Sequence, residues 1–210
     1  MSWLETVKNN IFEKSLSKGD VTKAFEEWEY LGTMYETLDL LESCELCEHP
    51  ELRYQFEIVN KLNSSTLLVG SECIKKFDGI AVIDSTGKKM DKGSARKKVN
   101  SDKRRLISDT KTQHMMNSLI RLSKADELFE IESFIQDFKE RGAFTPNQLT
   151  TLFWRLKKYN IVYVDRYFKV SLRKAKYKDQ LVDMENWKLK TIYNSLSPSQ
   201  RDFLEGSRFI

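Results

Sequence analysis

The stretch Cys44-Glu-Leu-Cys47-Glu-His49-Pro50, taken together with Cys73 further along, decides how this chain folds. The sequence has 210 residues, and it contains three cysteines and two histidines. All three cysteines and one histidine fall between positions 44 and 73. Three thiolates and one imidazole make a complete tetrahedral ligand set for Zn²⁺. We therefore predict a closed, structural zinc site at Cys44, Cys47, His49 and Cys73. Asp78 and His114 are weaker alternatives for the fourth ligand.

The residues between the second and third cysteines predict a β-hairpin. Tyr54, Phe56 and Ile58 alternate with polar residues, which is the period of a half-buried strand. Residues 60–65 form the predicted loop, and residues 66–69 form the return strand. Gly70-Ser71 then begins a short helix with Cys73 in its first turn, where the helix dipole favours a thiolate. A third short strand is predicted at 80–83.

A Cys-x2-Cys turn, a hairpin and a ligand in the first helical turn are the layout of treble-clef zinc fingers, which residues 44–77 resemble. A treble clef usually takes two ligands from its helix, whereas here the position three after Cys73 is Lys76. The wider pattern, over about residues 20–80, is similar to a small zinc-binding module in uncharacterised proteins of bacteriophages, mobile elements and large DNA viruses. The resemblance implies a metal site and a phage or mobile-element setting, and it implies no activity. The residues that carry it are Ala24, Glu27-Trp28, Cys44-x2-Cys47, Tyr54-x-Phe-x-Ile58-x-Asn60, Val69-Gly70-Ser71-x-Cys73-Ile74 and Phe77.

Composition and hydrophobic periodicity predict an α+β fold dominated by helices, with a small zinc-stapled hairpin module and a helical C-terminal domain. Apolar residues make up 40% of the chain, and it has only 8 Gly and 3 Pro. Residues 1–43 are predicted to be a pair of helices (3–16, then Val21 to Tyr35) that packs on the zinc module at 44–85. Residues 86–105 are predicted to be a flexible basic linker. Residues 106–210 are predicted to be mostly helical, near 106–122, 125–141, 146–159 and 179–195, with a small hairpin at 161–172.

The net charge of +4 conceals strong charge clustering. Residues 1–43 carry nine acidic side chains and four lysines, whereas residues 87–105 carry nine basic side chains and two aspartates. Residues 155–178 carry nine basic side chains and one aspartate. Such clusters are typical of a surface that binds a polyanion. The predicted nucleic-acid-binding residues are Lys88, Lys89, Arg96, Lys97, Lys98, Lys103, Arg104, Arg105, Arg155, Lys158, Arg173, Lys174 and Lys176.

The second basic segment has two interpretations. Its aromatic residues suit base stacking on a single strand, or a winged helix-turn-helix with 146–159 as recognition helix and 161–172 as wing. In that arrangement Asn147, Gln148, Thr151 and Arg155 point outward. Alternatively, its apolar residues are core and its charges are the solvated side of an amphipathic element. Both interpretations stay open at this point.

The sequence favours a protein without catalytic activity. It has no Gly-x4-Gly-Lys-Ser/Thr phosphate loop, no Gly-x-Gly-x2-Gly and no Gly-x-Ser-x-Gly motif. His49-Pro-Glu51 superficially matches zinc deaminases, but there the motif precedes its Cys-x2-Cys instead of following it. A carboxylate-metal nuclease stays open. We expect an intracellular, cytoplasmic protein that binds DNA or RNA. The alternative is an interaction factor that binds and inhibits or redirects a host protein, with the acidic first 43 residues facing a basic partner.

Overall fold

The computed structural model, which describes residues 2–37 and 42–208, confirms the α+β, helix-dominated class. It is 56% helical, with a small mixed sheet. The chain divides into two compact units, Met1–Asp109 and Thr110–Ile210. Residues 38–41 of the predicted N-terminal domain lie outside the described residues.

The sheet of the first unit is built around the predicted hairpin. Strand β2 (Tyr54–Asn60) pairs antiparallel with β3 (Thr66–Val69), and β1 (Trp28–Glu36) pairs antiparallel with the other side of β2. The short β4 (Ala81–Val82) pairs parallel with β1, so that the strand order is β3-β2-β1-β4. The hairpin and the third short strand are therefore confirmed. Helices α1 (Trp3–Lys14), α2 (Val21–Glu26) and α3 (Ser71–Lys76) complete this part of the unit.

Strand β1 corrects the prediction of a helix from Val21 to Tyr35. The helix ends at Glu26, and the chain continues as a strand in which Trp28 and Tyr30 are fully buried. The register shifts between Tyr30 and Met34, where Gly32 has a φ of 104°. A positive φ of this kind belongs to a β-bulge and is incompatible with a continuing helix. The spacing of the apolar residues in this segment fits the period of a helix as well as that of a strand. Aromatic residues such as Trp28 and Tyr30 favour the strand.

The core of the first unit joins α1 and α2 to the sheet. Val7, Ile11, Trp28, Phe56 and Ile58 are all buried at 1% exposure or less. Further buried members are Ala24, Tyr30, Cys44, Leu46, Leu67, Val69, Cys73 and Val99. The loop after α3 approaches α2 so closely that a Cβ at Gly79 would lie 2.5 Å from the Cβ of Phe25. Only glycine fits there without a shift of the backbone.

Residues 86–105 are not a flexible linker, which corrects the prediction. Helix α4 spans Lys92–Ala125, a length of 34 residues. Asp91 begins it, because its carboxylate accepts hydrogen bonds from the amides of Gly93 and Ser94 at 2.9 and 3.0 Å. The polar composition suggested a loop, but residues 92–125 contain no proline, and Val99 is fully buried against the first unit's core.

The second unit consists of helices around one apolar core. Helix α5 spans Ile131–Arg141, α6 spans Pro146–Lys158, α7 spans Ala175–Val182, α8 spans Asn186–Ile192 and α9 spans Pro198–Arg208. Gly142 ends α5 with a φ of 69°, and Thr145 caps α6 with a capping box to Gln148, so that these two ends fall at the predicted positions 141 and 146. The helix predicted at 179–195 is instead split, because a turn at 183–185 separates α7 from α8.

The hairpin predicted at 161–172 is wrong. Asp165–Tyr167 forms a 3₁₀ turn, and the segment makes a single parallel bridge, from Val170 to Phe144. Phe153 and Phe168 meet edge to face in the core, with ring centroids 5.0 Å apart. This aromatic packing and two backbone hydrogen bonds to Phe144, from the bridge, hold the segment in place.

Candidate metal centre and basic surfaces

The structure brings the three cysteines together. Cys44 Sγ lies 3.6 Å from Cys73 Sγ, and Cys73 Sγ lies 3.4 Å from Cys47 Sγ. All three sulfurs lie within 4.8 Å of one another. A tetrahedral ion with bonds of ~2.3 Å to sulfur requires sulfur–sulfur separations of about 3.8 Å. A disulfide would require ~2.05 Å, and the three cysteines are free. The cluster therefore has the dimensions to hold a metal ion.

The local backbone explains how Cys44 and Cys47 are placed. The amide of Cys44 donates to the carbonyl of His49 at 2.9 Å, and the amide of Glu48 donates to the carbonyl of Cys44 at 2.7 Å. Glu48 has a φ of 56°, so the chain reverses directly after Cys47. The amide of Gly70 donates to Cys44 Sγ at 3.4 Å, which ties this turn to the end of β3.

Cys73 reaches the cluster from the first turn of α3. Its amide donates to the carbonyl of Gly70 at 3.0 Å, and its side chain is 4% exposed. The prediction that this cysteine lies in the first turn of a short helix is confirmed. The hairpin between the Cys44–Cys47 turn and α3 is thus closed at its base by the three sulfurs.

The thiols perturb one another's pKa values. The hydrogen bond with Cys73, together with amide donors such as that of Gly70, lowers the pKa of Cys44 to about 5, although burial opposes this. The pKa of Cys73 is raised, because its hydrogen bond to Cys44 and its burial beside that group both disfavour a second negative charge. Neighbouring thiolates repel one another, so that ionising all three is unfavourable without a cation. A bound divalent ion would offset this repulsion.

His49 is not part of the cluster. Among the described residues, one group of three or more His, Cys, Asp and Glu side chains has all its ligand atoms within 4.8 Å of one another. That group is the three cysteines. His49 is exposed, and it lines a cavity of about 500 Å³ into which all three cysteines also open. Lys76 and Lys103 line the same cavity. Ligation by His49 therefore stays a prediction, and it requires the ring to move towards the sulfurs.

The two weaker alternatives for the fourth ligand lie elsewhere. Asp78 Oδ2 accepts a hydrogen bond from Lys92 Nζ at 2.6 Å, and this exposed ion pair lowers its pKa. His114 belongs to the second unit, where its ring lies 5.9 Å from that of Tyr167. Neither joins the cysteines in the cluster.

The predicted nucleic-acid-binding residues of the first basic segment fall into two groups, those exposed to solvent and those that contact other residues of the first unit. Arg96, Lys97 and Arg104 are exposed, and with Asn100 they fall on one side of the helix. We call these four residues the α4 basic face. Lys88 and Lys89, also exposed, lie in the turn before the helix. Asp102 is the one acidic residue among the described positions 92–108, and it is buried on the opposite side.

Asp102 engages the other basic residues of this segment. Its Oδ2 accepts hydrogen bonds from Lys98 Nζ at 2.8 Å and from the hydroxyl of buried Tyr30 at 3.1 Å. Arg105 lies 3.4 Å from its Oδ1. Burial and this carboxylate raise the pKa of Tyr30. Lys103 Nζ donates to Ser71 Oγ at 3.4 Å. Asp102 and Lys103 therefore attach α4 to Tyr30 and Ser71 of the first unit, and Lys98 pairs with Asp102 within the helix.

Two of the four residues predicted to point outward from the recognition helix, Gln148 and Arg155, already have partners within the protein. Arg155 forms an ion pair with Asp126, and its guanidinium lies 3.9 Å from the ring centroid of Phe129. Gln148 caps α6, because its Oε1 accepts from the amide of Thr145 at 3.0 Å. Lys158, Arg173, Lys174 and Lys176 are exposed, as a binding role requires.

Sequence reasoning assigned no structural role to three buried acidic residues: Glu27, Asp102 and Asp126. Each is 7% exposed or less, and each accepts hydrogen bonds from side chains distant in sequence. For Asp102 the sequence does contain an indication. An isolated aspartate four residues after Lys98 in a basic run is the spacing of an ion pair on a helix.

No family model, curated protein or solved structure matches this chain. The resemblance to zinc modules of phage and mobile-element proteins therefore stays a prediction. Within the described residues, no helix combines the length and apolar character that a membrane span requires.

Proposed function

We propose that this protein binds nucleic acid without catalysing a reaction, through the α4 basic face, and that a structural zinc ion stabilises the module on which α4 packs. Three cysteine sulfurs are a soft ligand set, which favours Zn²⁺ over the hard cations Mg²⁺ and Ca²⁺. With three thiolate ligands, the ion serves to close the base of the hairpin.

One observation carries the nucleic-acid proposal. Between positions 92 and 108, the described residues place their single carboxylate on the buried side of α4, in contact with Lys98. The exposed side of α4 then carries no carboxylate of its own between these positions, and Asp78, which pairs with Lys92, is the acidic neighbour of Arg96. Lys97 and Arg104 are seven positions apart, which places them about 10 Å apart along the helix axis. A row of cations at this spacing can neutralise successive phosphates and release their counterions.

The experiment is a binding titration of labelled 20-nucleotide single strands and 20-bp duplexes by fluorescence anisotropy at several salt concentrations. The test variant combines Arg96→Gln, Lys97→Gln and Arg104→Gln. Because three phosphate contacts are removed, we expect at least a tenfold loss of affinity and a salt slope smaller by about 2–3. The matched control combines Lys8→Gln, Lys23→Gln and Lys61→Gln, which remove the same charge from exposed positions of the first unit. Equal losses in both variants would contradict a specific role of the α4 basic face.

A second candidate function is a protein-interaction factor. It is favoured by large apolar side chains that the second unit leaves exposed, among them Leu128 at 96%, Val162 at 78% and Trp187 at 58%. A partner bound on such side chains would show little salt dependence, whereas a nucleic-acid complex weakens steeply as salt rises. The same titration series therefore separates the two functions.

A further inference from the structure

A second basic surface lies entirely within the second unit, where two open cavities adjoin. They measure about 780 and 840 Å³, and Arg166 and Asn194 line both of them. We call the combined recess the unit 2 groove. Its walls come from α6, from the segment around the 3₁₀ turn Asp165–Tyr167, and from the residues around α8 and the start of α9.

The unit 2 groove is strongly positive. The first cavity is lined by Lys157, Arg166, Lys190 and Arg201. The second adds Lys169 and Arg173, and also Arg141, whose charge is paired with Asp137. Among the described residues that line the two cavities, Asp165 is the one with an acidic side chain. Opposite charges are usually interspersed on a protein surface, so this imbalance marks a site for a negatively charged ligand.

Asp165 contributes one negative charge to the groove, and its hydrogen bonds to neutral donors give it a structural role there. Its Oδ2 accepts a hydrogen bond from the side chain of Asn194 at 2.7 Å, and its Oδ1 accepts one from the amide of Arg166 at 2.8 Å. The hydroxyl of Ser195 donates to its backbone carbonyl at 2.7 Å. These bonds join the two 3₁₀ turns, Asp165–Tyr167 and Tyr193–Ser195, and they fix Arg166 between the two cavities.

The cations of the groove are available to a ligand. Arg166, Lys169, Arg173 and Lys190 are exposed, and none of them takes part in the ion pairs found among the described residues. The guanidinium of Arg201 lies 4.7 Å from the ring centroid of Tyr193, which orients it, and its Nε is buried without a hydrogen-bond partner. A buried donor of this kind is costly unless a ligand or water accepts from it.

We propose that the unit 2 groove holds the sugar-phosphate backbone of a single-stranded nucleic acid. Guanidinium groups match phosphate oxygens in bidentate fashion. The lining also offers the second N–H of the Asn194 amide, whose first N–H donates to Asp165, and the Ser197 hydroxyl, the kinds of donor that bind phosphate and sugar oxygens. A recess with cations on several walls surrounds a flexible strand more completely than the convex backbone of a duplex.

An aromatic surface beside the groove supports a single strand over an acidic peptide. Trp154 precedes Lys157 by three positions on α6, so the two side chains lie on the same side of the helix. Trp154 is 52% exposed, with Lys158 Nζ 5.3 Å from its ring centroid. Trp154 lies outside the lining of both cavities, and its exposed indole offers a stacking surface to a base of a strand that extends past Lys157. A polyglutamate peptide has no ring that could stack on it.

This inference rests on the proposed function, since it assigns the same class of ligand, but it concerns a different surface. The predicted segment 155–178 supplies Arg166, Lys169 and Arg173 to the groove. Lys190 and Arg201 come from beyond that segment, and folding brings them to it. Linear charge clustering could not reveal this part of the surface.

The test uses the full-length chain and labelled 20-nucleotide single strands, a 20-bp duplex and a polyglutamate peptide of similar length. The groove variant combines Arg166→Gln, Lys169→Gln and Lys190→Gln. The matched control combines Lys124→Gln, Lys139→Gln and Lys188→Gln, which remove the same charge from the second unit at positions outside residues 155–178 and outside the groove lining. A third variant, Trp154→Ala, removes the stacking surface without a change of charge.

We expect the groove variant to lose at least tenfold in single-strand affinity, with a salt slope smaller by about 2, while the control stays within twofold. Trp154→Ala should lose about fivefold or more on the same strands. If wild type binds nucleic acid and the groove variant binds single strands as tightly as wild type does, the groove inference is wrong and the proposed function survives. Equal affinity of wild type for polyglutamate would also overturn it. If wild type binds no nucleic acid at all, both fail.

Discussion

At the residue scale, Glu27 is a buried carboxylate that joins separate segments of the first unit. It is 3% exposed, and its carboxylate accepts hydrogen bonds from the amides of Leu16 and Ser17 at 2.8 and 2.7 Å. The side chain of Asn60 donates to it at 2.7 Å. It therefore joins the chain after α1 to the end of β2. These donors lower the pKa of Glu27 to about 2, even though burial alone would raise it.

Replacing this carboxylate tests the network. Glu27→Gln places an amide donor against backbone donors, so we expect the free energy of unfolding at pH 7 to fall by about 2–3 kcal/mol. The folded-state pKa lies below the unfolded value. The stability from Glu27 is therefore fully present above about pH 4.5 and is lost as the pH falls towards 2. Urea unfolding should show the difference between wild type and variant shrinking over that range. Glu26→Gln, at the exposed neighbouring position, is the control and should change little.

His49 and Cys73 make a contrasting pair at the candidate metal centre. Cys73 is buried within the sulfur cluster, whereas His49 is exposed and outside it. We expect Cys73→Ser to weaken Co²⁺ binding at least a hundredfold. His49→Ala should weaken it about tenfold or less, because water can replace a neutral fourth ligand. Competition titrations that follow the thiolate-to-Co²⁺ absorption measure both affinities. If the two variants lose equally, His49 is a ligand of the same importance as the cysteines.

At the element scale, helix α4 places the adjacent residues Lys97 and Lys98 on different sides, so that they have different roles. Lys97 is exposed on the α4 basic face, and Lys98 contacts buried Asp102 on the other side. We expect Lys97→Gln to weaken nucleic-acid binding several-fold without changing thermal stability. Lys98→Gln should lower the free energy of unfolding by about 1–3 kcal/mol, because a buried carboxylate loses a charged partner. Paired anisotropy and thermal-unfolding measurements decide this, and the reverse assignment of effects would contradict the packing of α4.

The elements that sequence reasoning predicted well are those whose signals are local. Thr145-Pro146 and Gly142 mark helix ends by backbone chemistry alone, and Tyr54, Phe56 and Ile58 alternate too regularly for a helix. The failures depend on distant partners. Trp28 and Tyr30 join a strand because β2 lies beside them, and the basic run becomes helical because Val99 and Asp102 have a core to enter. At the candidate site, cysteine spacing predicted the cluster, but no spacing rule could place the His49 ring.

At the whole-molecule scale, the chain consists of two units, each with its own apolar core, and the sulfur cluster belongs to the first. Because the cysteines close the base of the hairpin on which the first unit is built, metal removal should act mainly there. We expect a strong chelator to lower the first unit's melting temperature by 10 °C or more. The second unit's transition, followed by calorimetry, should shift little. A single transition that chelator leaves in place would contradict a stabilising ion.

The most direct test of the account is the metal content of protein purified from cells without added metal or chelator, measured by elemental analysis together with a count of reactive thiols. The cluster of Cys44, Cys47 and Cys73 predicts one zinc per chain, slow thiol modification, and loss of both properties in Cys73→Ser. Protein without bound metal, with three thiols that react rapidly while the fold stays intact, would contradict it.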